Sequence, residues 1–405
     1  MKNFVFISPT FPATYYQFPR AWKELGGTSL CIGEDSYESL SQELKDAMDE
    51  YYQVYSLQNY DEVYRAVAWF AHKHGKIDWL ESNNEFWLEQ DAALRTDFNI
   101  TTGDHSEDVE RFKYKSNMKA YYEKAGVPTA RYHLTTTLEE GKKFIEEVGY
   151  PVIVKPDNGV GANATWKISN ESELKDFYQQ DLPTQYIMEE YLTGYIESYD
   201  GIVDLNNQII FETCHIFPEP IMDVVNEKDE LIYYSMREIP KDLKEIGQRV
   251  IHAFELKGRF FHTEYFRLTK DKEGLGKKGD LIGLEVNMRP PGGYTTDMMN
   301  YANDIDIYHL YALMCMQEPV KALTQRPYYC VHTGRRDHHH YEYNVEDINE
   351  KYGEALCMQG RMPEILSSAM GNEFFCARFE TMKEVDAFTK YIFQKWKPKQ
   401  KRKKK

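Results

Sequence analysis

Over the first 105 residues, short apolar runs alternate with stretches of helical period, and this alternation restricts the fold more than any other feature of the chain. Residues 4–8, 29–32, 51–55 and 77–81 read as strands, and 15–25, 61–74 and 85–95 as helices. In the second helix Val63, Val67 and Phe70 fall on one face. Gly26-Gly27 stops the first. Parallel strands need a crossover of a dozen or more residues, and the intervening helices supply it. Residues 1–105 are therefore expected to form a parallel α/β lobe.

The rest is mixed. One charged helix is expected over 107–125, ended by Gly126-Val127-Pro128, and another over 138–148, stopped by Gly149. Residues 151–156 read as a strand bounded by prolines. Beyond Ile187 the pattern turns β-rich, with alternation over 202–211. A helix over 245–255, a hairpin of 260–268 with 281–286 around the loop 271–280, and a helix over 308–316 follow. Residues 321–396 are expected to be a small mixed α/β subdomain, and the basic run 397–405 a disordered tail.

A chain of 405 residues exceeds one ordinary core. Its net charge of −16 disfavours nonspecific nucleic-acid binding, so lysines and arginines in apolar stretches are the informative ones. The six cysteines are scattered, with no metal-like or disulfide-like spacing, as in a reducing compartment. No apolar stretch is long enough to span a bilayer. The expectation is a cytoplasmic protein with neither membrane nor nucleic-acid partner.

Lys155 ends an apolar strand and precedes a loop rich in small residues, Asp157 to Ala164. A buried ammonium needs an anion, and a glycine loop lets backbone N–H groups approach one, which suggests a phosphate site. A hairpin turn with a snorkelling lysine is the bland alternative. In Glu285-Val286-Asn287-Met288-Arg289, polar residues alternate with apolar ones. On a strand Glu285, Asn287 and Arg289 would share a face. A carboxylate and an amide oxygen suit magnesium, and an arginine suits a transferring phosphoryl group. If the hairpin pairs, Glu264 approaches Glu285, and two close carboxylates call for a cation. His262 reads as a structural histidine. The stretch 187–194 could be a hinge whose backbone reads a base, although alone its pattern says little.

In this order the pieces resemble the ATP-grasp superfamily across residues 100–315, with stand-alone carboxylate–amine ligases of the amino-acid-ligase or carbamoyl-phosphate-synthetase type nearest in look. The resemblance implies a Rossmann-like pre-ATP-grasp α/β domain at 1–105 and a two-lobed α+β ATP-grasp domain, small lobe 106–185 and large lobe 186–320, before the 321–396 subdomain and the 397–405 tail. It implies that Lys115 and Lys155 contact ATP phosphates under a mobile loop containing Asn158, Gly159, Gly161 and Ala162. Glu189, Glu190 and Leu192 become the adenine hinge, the last two through backbone groups. Glu197 becomes a ribose ligand, one position late after Gly194. Glu264, Glu285 and Asn287 become ligands for Mg2+, or Mn2+ in its place, and Arg289 the arginine at the phosphoryl group.

The implied chemistry is phosphorylation of a small carboxylate by ATP, then displacement of phosphate by an amine, releasing ADP. A carboxylase- or kinase-like enzyme with another acceptor and a non-catalytic nucleotide-binding regulator are the alternatives. His215, Arg237 and Tyr294 are candidate substrate-lining residues. His338 to His340 read as a solvated loop, and Arg335 and Arg336 stay open as substrate-carboxylate or phosphate contacts. A homodimer has only the base rate of soluble enzymes behind it.

Overall fold

The computed structural model describes residues 1–158, 165–220, 224–225, 227–321, 323 and 325–396. Gly159, Gly161, Ala162 and the basic tail lie outside the described residues. The chain divides into two compact units, one comprising Met1–Cys214, Ile239–Asp297 and Asp306–Thr324, the other His215–Glu238, Met298–Ile305 and Gln325–Lys405.

In the first unit, β1 (Asn3–Ile7), β2 (Thr28–Gly33), β3 (Glu50–Gln53) and β4 (Trp79–Glu81) form a parallel sheet of order β3-β2-β1-β4. Val5, Ile7, Leu30, Ile32 and Leu80 pack one face against Val63, Val67 and Phe70 of helix Tyr60–His74. The strand order reverses between β1 and β4, and their carboxyl ends run into Ser8 and Asn83, both at positive φ (58° and 55°). Such reversals open a crevice at the strand ends.

A second sheet joins β5 (Tyr132–Leu134), β6 (Val152–Pro156), β7 (Trp166–Ile168) and β8 (Tyr186–Glu190) in the order β5-β8-β6-β7, all antiparallel. Val152, Val154 and Met188 bury one face under helix Leu138–Val148, through Phe144 and Ile145, and helix Glu171–Tyr178, through Leu174 and Phe177. Thr137 caps the former by accepting from the Glu140 N–H, and Gly149 at φ 77° ends it.

The expected single helix over 107–125 is two, Ser106–Lys113 and Lys115–Lys124. Tyr114 is extended, with ψ 124°, and Asp157 caps the second helix. Its carbonyl accepts from the Lys115 N–H at 2.9 Å, and its carboxylate from the N–H (2.8 Å) and hydroxyl (2.7 Å) of Ser116. The cap ties the helix that starts at Lys115 to the strand that carries Lys155.

β9 (Gly194–Val203) pairs antiparallel with β12 (Arg259–Leu268), and β12 with β13 (Leu281–Asn287), the expected hairpin. The alternation over 202–211 is the end of β9 and the start of β10 (Ile209–Phe217), separated by a turn in which Asp204 Oδ1 accepts from the Asn206 and Gln208 N–H groups. The second unit takes over β10 at His215, which pairs with Ser235 of β11 (Leu231–Ser235). From β11 the order is β14 (Tyr329–Arg335), β16 (Glu373–Phe379), β15 (Leu356–Arg361), all antiparallel. Val331, Phe375 and Ala377 bury a face against Val385, Phe388 and Ile392 of helix Met382–Ile392. No described helix is long and apolar enough to cross a membrane.

Candidate functional site

The register of β12 and β13 sets Glu264 opposite Glu285 and His262 opposite Asn287. On β9, Ser198 lies opposite Glu264 and Asp200 opposite His262. One face of three strands thus gathers oxygen donors. A bulge after Glu264 disturbs the ladder, and Tyr122 of helix Lys115–Lys124 exploits it. Its hydroxyl donates to the carbonyls of Glu285 (2.9 Å) and Glu264 (3.4 Å). Gly283 allows the approach, since a Cβ there would lie 2.5 Å from the Tyr122 ring.

Two lysines act on this set. Lys115 Nζ stands 3.2 Å from Glu285 Oε1, and Lys155 Nζ 2.7 Å from Glu189 Oε2. Burial alone would raise the Glu285 carboxyl, but Lys115, Lys155 and Arg289 hold it below the ordinary value. Burial opposes the Lys155 ammonium, yet Glu189, Glu285 and Glu264 raise it. Burial also works against Glu189, whose carboxyl Lys119 and Lys155 bring down to about 2.

Sequence reasoning missed Lys119. Its Nζ lies 2.6 Å from Glu189 Oε1 and donates to the Ala130 carbonyl at 3.1 Å. The signal was available, because Lys115 and Lys119 are one helical turn apart and share a face. His262, read as structural, sits between Asp200 and Glu264, with Nε2 3.2 Å from Glu264 Oε1. Burial lowers its pKa, but the two carboxylates raise it to about 9, so it is an imidazolium at neutral pH.

β13 ends at Asn287, so Arg289 does not continue the alternation expected of it. Its Nη1 donates to the Pro290 carbonyl at 2.8 Å, and its Nε lies 3.8 Å from Glu85 Oε2. Glu85 follows β4, at the crevice where the strand order reverses, and was also missed. Glu85 Oε2 and Asn83 Nδ2 are buried without a hydrogen-bond partner among the described residues. Burial raises the Glu85 carboxyl, with Arg289 and Lys113 pulling the other way.

Asn158 Oδ1 accepts from the Thr184 hydroxyl at 3.1 Å. Glu190 donates its N–H to the Arg131 carbonyl at 3.0 Å, and its buried carboxylate meets Arg131 Nη2 (2.7 Å) and Lys272 Nζ (3.3 Å). Leu192 packs with Ala130, Leu268 and Ile282 in an apolar cluster. Both Glu197 oxygens are held by Arg267, at 2.9 and 2.7 Å.

Tyr294 is buried just beyond Arg289. His215 and Arg237 belong to the second unit. Arg237 donates to the carbonyls of Arg326 (3.1 Å) and Glu380 (2.7 Å). Arg335 donates to the carbonyls of Ile392 and Tyr343, and Arg336 to those of Asp229, Ser367 and Ser368. These buried guanidiniums close off chain carbonyls, which corrects their reading as open anion contacts. His338 to His340 lie in a turn, with His338 and His340 exposed and His339 Nδ1 2.8 Å from Glu230 Oε1.

Residues 114–211 match the family described as carbamoyl-phosphate synthase L chain, ATP binding domain. The arginine-specific large chain of carbamoyl phosphate synthase from Neurospora crassa is 26% identical over 215 residues, which is 50% of this chain and 18% of that protein. The large chain from Agathobacter rectalis is 25% identical over 238 residues, 56% of this chain and 20% of that protein. The chain therefore spans about a fifth of the length of these relatives. An L-amino acid ligase from Bacillus licheniformis superposes with a TM-score of 0.73 at 14% identity, covering 96% of each chain. N5-carboxyaminoimidazole ribonucleotide synthetase from Thermotoga maritima superposes with a TM-score of 0.68 at 16% identity, again covering 96% of each. Residues 114–211 thus match the ATP-binding domain of carbamoyl-phosphate synthase large chains, and the fold of the whole chain is similar to that of these ligase and synthetase structures.

Proposed function

We propose that the chain is an ATP-dependent carboxylate–amine ligase that forms an amide and releases ADP and phosphate. The observation that carries the reading is the pairing of Glu264 with Glu285 beside Lys115 and Lys155. The oxygens of Glu264, Glu285 and Asn287 are the hard donors that magnesium takes, and they fit that ion. Magnesium held there supplies charge neutralisation at the phosphate oxygens.

Lys115 and Lys155 turn from their carboxylates to the phosphates of ATP. Glu189, the backbone of Glu190 and Leu192, and the apolar cluster around Leu192 receive the base, with Glu197 toward the ribose. Arg289 steadies the phosphoryl group as a substrate carboxylate oxygen bonds to the γ-phosphorus and ADP leaves. An amine then attacks the acyl carbon, phosphate departs with the bonding electrons, and the amine's proton passes to solvent. The chain's own contribution is alignment and fixed charge. The orphaned atoms of Glu85 and Asn83, beside Arg289 at the strand-end crevice, support a polar substrate held there.

In the division proposed from sequence, Lys115 and Lys155 belong to the small lobe, 106–185, and Glu189 and the metal ligands to the large lobe, 186–320. Glu285→Ala tests the reading. ADP release should fall by about 100-fold or more while ATP still binds, more weakly. Unchanged turnover removes Glu285 from the site. Bicarbonate and amines belong in separate arms of that assay, because a carboxylase-like enzyme would respond to the first alone.

A further inference from the structure

We propose that Lys119 is a positioning residue that keeps the buried Glu189 carboxylate neutralised when Lys155 leaves it for a nucleotide phosphate. The inference rests on the reading of residues 114–211 as a nucleotide site.

Glu189 is buried and shared by two ammoniums, Lys119 at 2.6 Å and Lys155 at 2.7 Å. The two lysines are held differently. Lys119 projects from the middle of a helix anchored at its start by Asp157 and along its length by Tyr122. Its ammonium meets Glu189, the Ala130 carbonyl at 3.1 Å and the Tyr132 ring at 5.1 Å, which engages it on three sides. Lys155 lies at the end of a strand, and Glu189 is its one close ion-pair partner among the described residues. It also feels Glu285 and Glu264. One ammonium is fixed, and the other can be drawn toward a phosphate.

With a single lysine, moving it to phosphate would strand a buried carboxylate, and breaking a buried pair in that way is strongly destabilising. With two, the departure of Lys155 leaves a neutral Lys119–Glu189 pair. The second lysine thus lowers the cost of handing the first to the nucleotide.

The test is MgATP affinity by calorimetry for wild type, Lys119→Met, Lys119→Arg, Glu189→Gln and Lys119→Met/Glu189→Gln, with thermal unfolding checked without nucleotide. Lys119→Met should weaken binding on the order of 100-fold, because Glu189 then competes with phosphate for Lys155 alone. Lys119→Arg should recover most of the affinity. The double variant should bind more tightly than Lys119→Met, since the stranded charge is gone, a recovery that a merely structural lysine does not produce. Wild-type affinity in Lys119→Met, or a double variant no better than Lys119→Met, overturns the inference. If Lys119→Met fails to fold, the double variant and Lys119→Arg still decide it, since loss of binding in both contradicts the proposal. Wild type failing to bind MgATP would instead refute the nucleotide reading beneath it.

Discussion

Asp297 allows a stability prediction with a definite sign. It lies at the start of helix Thr295–Asn303, 3% exposed. Its carboxylate accepts from the Thr14 hydroxyl (2.9 Å), the Gln17 amide (3.0 Å) and the Tyr308 hydroxyl (3.0 Å). All three donors are neutral. Burial therefore wins and lifts the pKa from 3.8 to about 6. Between those values the folded chain holds a proton that the unfolded chain has lost. Stability from this group is full below about pH 4, declines as pH rises to about 6, and is level above. A gap of about two pKa units corresponds to roughly 3 kcal/mol. Asp297→Asn keeps the shape and removes the charge, with Oδ1 left to Gln17 and Tyr308 and the amide turned toward the Thr14 oxygen. The variant should gain on wild type by about 3 kcal/mol between pH 4 and pH 7. Urea unfolding of both proteins at several pH values measures this. Five of the six tryptophans, Trp22, Trp69, Trp79, Trp87 and Trp166, lie in the first unit and the exposed Trp396 in the second, so the fluorescence change is dominated by the unit that contains Asp297. A difference between the two proteins that does not change with pH, or that moves against the variant, refutes the reasoning.

Three further outcomes are expected. Arg259→Met should destabilise the first unit by about 1.5–3 kcal/mol in the same urea assay, because it takes a buried guanidinium from Asp104, 2.6 Å away, and Glu81, 3.6 Å away, and leaves them to Arg111 and Arg95. Gly283→Ala, which drives a Cβ to 2.5 Å from the Tyr122 ring, should cost about 1–3 kcal/mol and loosen the helix that carries Lys115 and Lys119. Arg336→Met should lower the unfolding temperature, by removing the guanidinium that donates to the carbonyls of Asp229, Ser367 and Ser368, and leave MgATP affinity unchanged. A loss of affinity there would revive Arg336 as a ligand contact.

Much of this architecture was legible because its signals are local. The alternating strands and helices of the first lobe, the hairpin, and the polar face of Glu285 and Asn287 need only neighbouring residues to be read. What escaped depends on distant partners. The break at Tyr114 comes from Asp157, some forty residues on, whose carboxylate and carbonyl replace the turn that would have continued the helix. Lys119 belongs to no motif, and only Glu189 on another element gives it a reason to be buried. Glu85 gave no motif, since its meaning lies in the crevice where β1 and β4 diverge. Arg335 and Arg336 were ambiguous for the converse reason. A guanidinium that closes off carbonyls and one that binds a substrate anion have the same sequence signature, and burial among chain carbonyls tells them apart.

The measurement that bears most directly on the central claim is ADP and phosphate release by the purified chain with magnesium and ATP, against a pool of amino acids and other small carboxylates and amines. Release that requires magnesium, one carboxylate and one amine together is the predicted result, and it would name the substrates. MgATP bound without release under any combination would contradict the ligase reading and leave a nucleotide-binding regulator.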